Sequence, residues 1–351
     1  MDGVTDEIVY LGCYTAESDG TGEGIVAATR DPRTGRLTPR AVVARTPSPS
    51  FLVWHPTLPV LYAANELADG AVSGWAVTGD GALVPCGSAG TGGALPCHLA
   101  VTADGRFLLA ANYGTGSIAV HPLDPVTGAV GERTDLVVHE GHGPVRHRQA
   151  EAHVHMVSPD PAGGPLVAVD LGTDGIYPYR LDGGRLVPAG DPVRVAPGTG
   201  PRHVARHPDG RRAYLSGELD GMLTAFDVDE RGWHVRHRVE ASQRSGEKLP
   251  SEIAVRPDGR FVYLATRGVD TISVFALDGA APRLVSEVDC GGRWPRHFVL
   301  IGDHLYVANQ IGNTVAVFAV DPDAGTLTPA GDPVVAASPT CVLQPRPAGM
   351  S

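Results

Sequence analysis

Charged side chains able to take part in acid–base chemistry stand at matching places in a segment that recurs along the chain. Arg202 and Arg296 each follow a proline directly, whereas Glu218 and Arg267 each follow an apolar run. An arginine guanidinium can donate paired hydrogen bonds to a carboxylate or a phosphate. A glutamate, or a histidine such as His153, can move a proton at neutral pH. Together these residue types suit a reaction on a small anionic substrate.

The segment that carries these residues recurs seven times, at intervals of roughly 44 to 56 residues. Its clearest copy, PRHVARHPDGRRAYLSGE, spans 201–218. The copies, which we number 1 to 7, begin at Pro49, Pro96, Ala152, Pro201, Pro250, Pro295 and Pro339. Repeats of this length, built from short apolar runs and Asp-Gly turns, are typical of β-propellers. The sequence therefore predicts an all-β, seven-bladed β-propeller with four strands in each blade.

The two ends of the chain predict how this propeller closes. Copy 7 contains a first strand, Pro339-Thr-Cys-Val-Leu343, but no partner strand after it. The run Ile8-Val-Tyr-Leu-Gly-Cys-Tyr14 resembles a second strand with no first strand before it. We expect these two runs to pair and complete blade 7, because an unpaired strand edge is a liability. Residues 1–351 are then expected to form a single propeller domain, with no helix of note.

Composition narrows the classes of partner and compartment. The net charge of -11 argues against nucleic acid and against an anionic membrane surface as partners. No 18-residue apolar run is present, and the first seven residues lack the basic start of a signal peptide. Five cysteines without a CxxC pair favour reduced thiols in the cytoplasm. No cofactor and no metal site is predicted, and the expected state is a monomer or a weak homodimer.

The repeat register predicts where the functional side chains lie. We name the residue after the first proline of a copy its opening position, and the residue after the second apolar run its closing position. The opening positions are Ser50, Cys97, His153, Arg202, Ser251, Arg296 and Thr340. The closing positions are Glu66, Tyr113, Leu171, Glu218, Arg267, Gln310 and, through the N-terminal strand, Tyr14. In an antiparallel hairpin the start of one strand lies beside the end of the next, so both sets are predicted at one mouth of the central channel.

Residues that differ from blade to blade at these positions predict a ligand site, because structural repetition would conserve one residue type. His153, Arg202, Glu218 and Arg267 are the candidates for this site whose side chains carry charge or can move a proton. Candidate substrate-binding residues are Arg296, His155, His98, Glu252, Tyr113 and Glu66.

Several of these candidates have a structural alternative. His155 stands where the alignment of copies 1 and 2 has Leu52 and Leu99, so it is either a hydrogen-bonded core histidine or a ligand. His98 belongs to a recurring set that also favours a bond to a neighbouring blade. Glu218 can form an ion pair with an arginine, which could also preset that arginine for catalysis. Glu252 could cap a loop instead of binding substrate.

The chain resembles a known family, the seven-bladed propeller lactonases. This family includes bacterial 6-phosphogluconolactonases and fungal carboxy-muconate lactonizing enzymes. The segments that carry the resemblance are YLGCYT (10–15), LAANYG (109–114), RQAEAHVH (148–155), VDLGTD (169–174), GPRH (200–203) and PRHF (295–298). They extend over nearly the whole chain. The WD40 scaffolds share the architecture, but their Gly-His and Trp-Asp signatures are missing here.

The resemblance implies catalytic roles for His153, Arg202, Glu218 and either Arg267 or Arg296. The sequence departs from the family pattern at three neighbours of these residues, namely Ala152, Gly217 and Thr266. The implied activity is hydrolysis of a sugar-acid lactone, such as 6-phosphogluconolactone. The alternatives are a carboxy-muconate cycloisomerase, which needs the same side chains, and a binding module without catalytic activity.

Overall fold

The computed structural model describes residues 6–346, and in this range the chain forms seven antiparallel sheets. The first strands along the chain are β1 (Glu7–Cys13), β2 (Ile25–Arg30) and β3 (Leu37–Ala44), with a short 3-10 helix (Ala16–Ser18) between β1 and β2. Blade 1 contains β4 (Pro49–Trp54), β5 (Val60–Asn65), β6 (Ala71–Val77) and β7 (Leu83–Gly90). Blade 2 contains β8 (Pro96–Val101), β9 (Phe107–Asn112), β10 (Ser117–Pro122) and β11 (Asp135–Val138).

The middle of the chain continues the same order of consecutive strands. Blade 3 contains β12 (Val154–Ser158), β13 (Leu166–Asp170), β14 (Gly175–Asp182), β15 (Arg185–Pro188) and the short β16 (Val193–Arg194). Blade 4 contains β17 (Pro201–Arg206), β18 (Arg212–Gly217), β19 (Met222–Asp229) and β20 (Gly232–Glu240). Blade 5 contains β21 (Lys248–Val255), β22 (Phe261–Gly268), β23 (Thr271–Ala276) and β24 (Arg283–Asp289).

The last blades show how the chain ends are joined. Blade 6 contains β25 (Pro295–Ile301), β26 (His304–Asn309), β27 (Thr314–Val320), β28 (Leu327–Pro329) and the short β29 (Val334–Val335). Blade 7 is completed by β30 (Pro339–Leu343), which pairs with β1 in the order β3-β2-β1-β30. The predicted pairing of the N- and C-terminal strands is therefore confirmed. Blades 3 and 6 differ from the four-strand prediction, because each adds a two-residue strand at its outer part.

The chain divides into two compact units. One unit contains the chain up to Arg45 together with Val204–Pro345, and the other contains Thr46–His203. In each unit the apolar residues of the second and third strands of a blade pack against those of the adjoining blade. Tyr62, Leu108 and Ala119 belong to such a cluster in the Thr46–His203 unit. Tyr263, Ile272 and Phe318 belong to one in the other unit.

The tight turns follow the sequence pattern, although only the glycine of each Asp-Gly pair takes positive φ. Gly105, Gly210 and Gly259 have φ of 70°, 69° and 73°. The preceding aspartate instead accepts a backbone N–H two residues later, as Asp104 does from Arg106. This arrangement needs a glycine, because L side chains rarely adopt that conformation.

Hydrogen bonds between adjoining blades add to the apolar packing. The buried Tyr263 hydroxyl of blade 5 donates to the Gly325 carbonyl in a blade 6 turn at 2.9 Å. Tyr306 of blade 6 donates to the Gly35 carbonyl of blade 7 at 2.7 Å. Gly35 and Gly325 each follow an aspartate by four residues, so the Asp-x-x-x-Gly turn of one blade accepts a tyrosine from the blade before it.

Within residues 6–346 no helix is long and apolar enough to cross a membrane.

Candidate active site

The opening positions of blades 1, 2, 5, 6 and 7 lie at β-bulges, and this explains why polar side chains occur there. In blades 1, 2, 6 and 7 the pairing of the first strand shifts by one residue at Ser50, Cys97, Arg296 and Thr340. In blade 5 the shift falls between Pro250 and Ile253. A bulged residue is unpaired in the ladder and its side chain is re-aimed away from the regular alternation. A polar residue at this position therefore need not point into the apolar core.

The opening position predicted for blade 3 is wrong by two residues. Val154 pairs with Asp170 and Met156 pairs with Val169, so the bulged residue is His155. The backbone of Leu171 donates to the His153 carbonyl, just as Tyr113 donates to Leu95 in blade 2. His153 therefore corresponds to the residue before the first proline of the other copies. His155 does not replace a core aliphatic residue; it occupies the same structural position as Arg296.

His153 is nevertheless held in a defined orientation before β12. Its backbone N–H donates to Asp170 Oδ1 at 2.9 Å. Its ring stacks on Tyr113 with centroids 4.5 Å apart, and its Nδ1 lies 2.8 Å from the Tyr113 carbonyl oxygen. Because a carbonyl can only accept, Nδ1 carries the proton. The neutral ring then presents the lone pair of Nε2, which is the form that a general base requires.

Asp170 organises the turn beside His153. One oxygen accepts the backbone N–H groups of His153, Gly172 and Thr173, and the other lies 2.8 Å from His139 Nδ1. Burial raises the pKa of Tyr179 to about 12, so its hydroxyl stays protonated and donates to His139 Nε2 at 2.9 Å. The buried carboxylate thus has a hydrogen-bond partner for each oxygen, as buried charge requires.

A second carboxylate, that of Asp174, holds the backbone segment that precedes Arg202. Asp174 accepts the backbone N–H groups of Gly198 and Gly200 at 2.7 and 2.8 Å, and also the Gln149 side-chain amide at 2.8 Å. Gly200 lies two residues before Arg202 and has φ of 59°, a conformation that favours glycine. Arg202 itself is buried, with 2% of its surface exposed.

Three buried histidines extend the arrangement within the Thr46–His203 unit. The rings of His98 and His203 lie 5.3 Å apart, and those of His155 and His203 lie 5.1 Å apart. Tyr113 meets the edge of His155 at 5.7 Å, which connects the cluster to His153. His98 of blade 2 thus contacts a histidine of blade 4 through its ring, which is not the bond to a neighbouring blade that was expected of it. Within residues 6–346 no group of three or more His, Cys, Asp or Glu side chains is arranged to hold a metal ion.

In the other unit, Glu218 and Arg267 form an ion pair, which was the structural alternative considered for Glu218. Arg267 Nη2 lies 2.7 Å from Glu218 Oε2, and both side chains are buried. The Arg267 guanidinium also lies 5.4 Å from the centre of the Trp294 ring, and Arg267 Nε donates to the Leu249 carbonyl. Breaking one partner of a buried pair leaves an uncompensated charge, so the two groups hold each other in place.

The remaining candidates of that unit have partners of their own. Glu252 Oε2 lies 3.6 Å from His297 Nε2, and its Oε1 accepts the backbone N–H of Ile253 at 3.1 Å. The His297 ring also accepts the backbone N–H of Val342 in β30 at 3.4 Å, which is the bond to an adjoining blade expected of the recurring histidines. The Arg296 guanidinium lies 4.9 Å from the centre of the Tyr14 ring. Glu66, by contrast, belongs to the Thr46–His203 unit, where it is half-buried and its backbone N–H donates to the Ser48 carbonyl.

The structure thus gathers His153, Tyr113, His155 and His98 in one unit and joins Glu218 to Arg267 in the other. Asp170, Asp174 and Gln149 have no assigned role in the sequence prediction. They lie in the segments RQAEAHVH and VDLGTD that carry the family resemblance, and this is the sequence signal that could have identified them.

Comparison with known proteins identifies the relatives of the chain. A Bacillus subtilis 6-phosphogluconolactonase is 32% identical over 97% of this chain and 98% of its own length. The Pseudomonas aeruginosa periplasmic gluconolactonase has a TM-score of 0.89 at 29% identity, covering 96% of this chain and 98% of its own. A Bacteroides fragilis crystal structure has a TM-score of 0.90 at 29% identity, covering 97% and 98%. Residues 8–344 match the family described as "Lactonase, 7-bladed beta-propeller". The chain is an all-β, seven-bladed propeller that belongs to this lactonase family of carboxylic-ester hydrolases.

Proposed function

We propose that this lactonase hydrolyses 6-phosphogluconolactone to 6-phosphogluconate. The Bacillus subtilis relative is named a 6-phosphogluconolactonase, and the Pseudomonas aeruginosa relative is named a gluconolactonase. The arginines that the sequence places at opening and closing positions suit a substrate with a phosphate group. The observation that carries the proposal is the orientation of His153, whose Nδ1–H is engaged by the Tyr113 carbonyl so that Nε2 is a base.

The proposed reaction begins with His153 Nε2 taking a proton from water as the water oxygen attacks the lactone carbonyl carbon. The carbonyl π electrons move onto oxygen, and the guanidinium of Arg202 stabilises this oxyanion. When the carbonyl re-forms, the ring C–O bond breaks and the leaving alkoxide receives the proton from His153. The products are the hydroxy acid and the enzyme in its starting protonation state.

Glu218 is the alternative base, and its partner argues for a different role. Its carboxylate is engaged by Arg267 at 2.7 Å, which ties it to a positive charge. We assign Glu218 the positioning of Arg267, and Arg267 the binding of the anionic part of the substrate. Arg296, over the Tyr14 ring, is the second candidate for that contact. His155, His98, Glu252, Tyr113 and Glu66 are assigned to substrate binding or to support of these groups.

The proposal also covers the compartment, the partners and the oligomeric state of the enzyme. The five cysteines are free thiols, and burial raises the pKa of Cys13 and Cys290 to about 12, which suits a reducing cytoplasm. The net charge of -11 supports a protein that does not bind nucleic acid or an anionic membrane. We propose a monomer or a weak homodimer of single-domain chains, acting without a cofactor.

Initial rates of acid release from 6-phosphogluconolactone, gluconolactone and carboxy-muconolactone test this function, after subtraction of the uncatalysed ring opening. We expect the highest kcat/KM for the phosphorylated lactone. His153→Asn keeps a donor for the Tyr113 carbonyl but removes the Nε2 base, so kcat should fall by about 10²–10⁴-fold. Tyr179→Phe is a matched control, since it alters the adjoining network without removing the base. Turnover confined to carboxy-muconolactone would instead identify a cycloisomerase, and an unaffected His153→Asn variant would overturn the assignment of the base.

A further inference from the structure

A cavity lies among the connections of blade 3 and adjoins the turn that holds His153. Its volume is about 430 Å³, within the range of small-molecule sites. It is lined by the connection before β12, by the β13–β14 turn and by the segment after β16. The side chains that give it chemical character are His142, Arg146, Asp174 and Arg194. None of these four belongs to the catalytic residues assigned above.

Arg194 is fixed at the wall of this cavity before any ligand arrives. Its Nη1 donates to the Thr173 carbonyl at 2.9 Å and to the Tyr177 hydroxyl at 3.2 Å. The guanidinium lies 5.4 Å from the centre of the Tyr177 ring. An arginine has five N–H donors, so Nη2 and Nε keep donors for another acceptor. A side chain preorganised in this way loses little entropy when it binds an anion.

The two arginines of the cavity outnumber its single carboxylate. Over the described residues, 6–346, neither Arg146 nor Arg194 has an acidic side chain within ion-pair distance. The only carboxylate in the lining is that of Asp174, which is buried and accepts Gly198 N–H, Gly200 N–H and the Gln149 amide. Two arginines and a histidine therefore face one space in a chain whose net charge is -11.

We propose that this cavity binds the phosphate group of a sugar phosphate. Two guanidinium groups can offer paired, charge-assisted hydrogen bonds to phosphate oxygens. The cavity residue Thr173 and the proposed base His153 share a hydrogen-bond acceptor. Asp170 Oδ1 accepts the backbone N–H groups of both residues. The phosphate belongs either to the substrate of the proposed reaction, in which case Arg146 and Arg194 bind it in place of Arg267, or to a second molecule that binds beside the substrate. The first source rests on the proposed function, whereas the second does not.

Calorimetric titration tests binding independently of turnover. The probes are 6-phosphogluconate, gluconate and inorganic phosphate, added to the wild type, to an Arg146→Gln/Arg194→Gln double variant and to Arg185→Gln. Arg185 is an exposed residue of β15 outside the cavity lining, so its variant is the control for a lost surface charge. We expect the double variant to bind 6-phosphogluconate about tenfold or more weakly, given the strength of charge-assisted bonds. The control and the wild type should bind it equally.

Kinetics then distinguish the two sources of phosphate. If the substrate phosphate occupies the cavity, the double variant should show a raised KM for 6-phosphogluconolactone and an unchanged KM for gluconolactone. If a second molecule occupies it, both KM values stay unchanged while titration still detects weakened phosphate binding. Equal binding of 6-phosphogluconate by the wild type and the double variant would overturn the proposal. That result would be independent of lactone turnover, which separately decides the proposed function.

Discussion

At the scale of single residues, the two assigned cations of the reaction should differ in their kinetic signature. Arg202 is assigned to the oxyanion, so Arg202→Ala should lower kcat by about 10²–10³-fold. Arg267 is assigned to the anionic part of the substrate, which is bound equally in the ground state and the transition state. Arg267→Ala should therefore raise KM with little change in kcat. Steady-state kinetics on the phosphorylated lactone make the measurement.

Glu218→Gln tests whether the ion pair positions Arg267 or supplies the base. As a positioning residue, Glu218 should share the KM effect of Arg267, and the double variant should cost no more than either single one. A melting curve for each variant checks that the fold survives, because removal of one partner leaves the other charge buried. A large loss of kcat with unchanged KM for Glu218→Gln would move the role of base from His153 to Glu218.

His121 should make the stability of the fold depend on pH. It is buried and its Nδ1 contacts the Gly131 carbonyl, and burial lowers its pKa below the usual range. A lowered pKa in the folded state means that stability is complete above the unfolded pKa, about 6.5, and is lost as pH falls through the folded pKa. We expect the Tm to fall when pH is lowered from 7.5 to 5, and to fall less in His121→Asn.

Asparagine is the informative replacement because its amide can take over the bond that Nδ1–H makes. The matched control is His147→Asn, at an exposed histidine, which should keep the wild-type slope of Tm against pH. An identical slope in His121→Asn would show that the acid sensitivity arises elsewhere, for example at His55 or His304, whose pKa values burial also lowers.

At the scale of elements, the tyrosine bonds between adjoining blades give a graded prediction. Tyr263→Phe leaves the Gly325 carbonyl without its donor and should lower the free energy of unfolding by about 1–3 kcal/mol. The Tyr306 hydroxyl donates to Gly35 and also accepts Arg30 Nε at 2.8 Å. Tyr306→Phe should therefore destabilise the protein more than Tyr263→Phe. Urea unfolding of both variants measures the order, and the reverse order would contradict the role assigned to these bonds.

The sequence predicts the regular repeats correctly, but it does not predict the register of copy 3. Repetition of Pro, Asp-Gly and short apolar runs was enough to predict seven blades and the pairing of Ile8–Tyr14 with Pro339–Leu343. Copy 3 lacks the first proline and carries two histidines, so the repeat could be aligned in more than one way. Only the pairing of Val154 with Asp170 places His155 at the bulge. Side-chain partners such as Asp170 and His153 depend on turn geometry, which a repeat pattern does not encode.

At the scale of the whole molecule, the net charge of the protein opposes the binding of an anionic substrate. The chain carries a net charge of -11, so its average field repels a phosphorylated ligand. The substrate must therefore be drawn by local groups of arginine and histidine. The sequence places such residues at opening positions, and the cavity of blade 3 has two further arginines without acidic partners within the described chain. Binding should accordingly weaken as ionic strength rises.

The cooperativity of unfolding decides whether the chain is one domain. The boundary between the two compact units falls between His203 and Val204, inside β17. Unfolding of either unit would disorder part of this strand. We therefore expect one thermal transition with equal calorimetric and van't Hoff enthalpies. Leu11 is fully buried in β1 and pairs with Val342 of β30. Leu11→Ala should lower the Tm of that single transition, with about 2–5 kcal/mol of lost stability. Two resolved transitions, only one of them shifted by Leu11→Ala, would show instead that the units unfold independently.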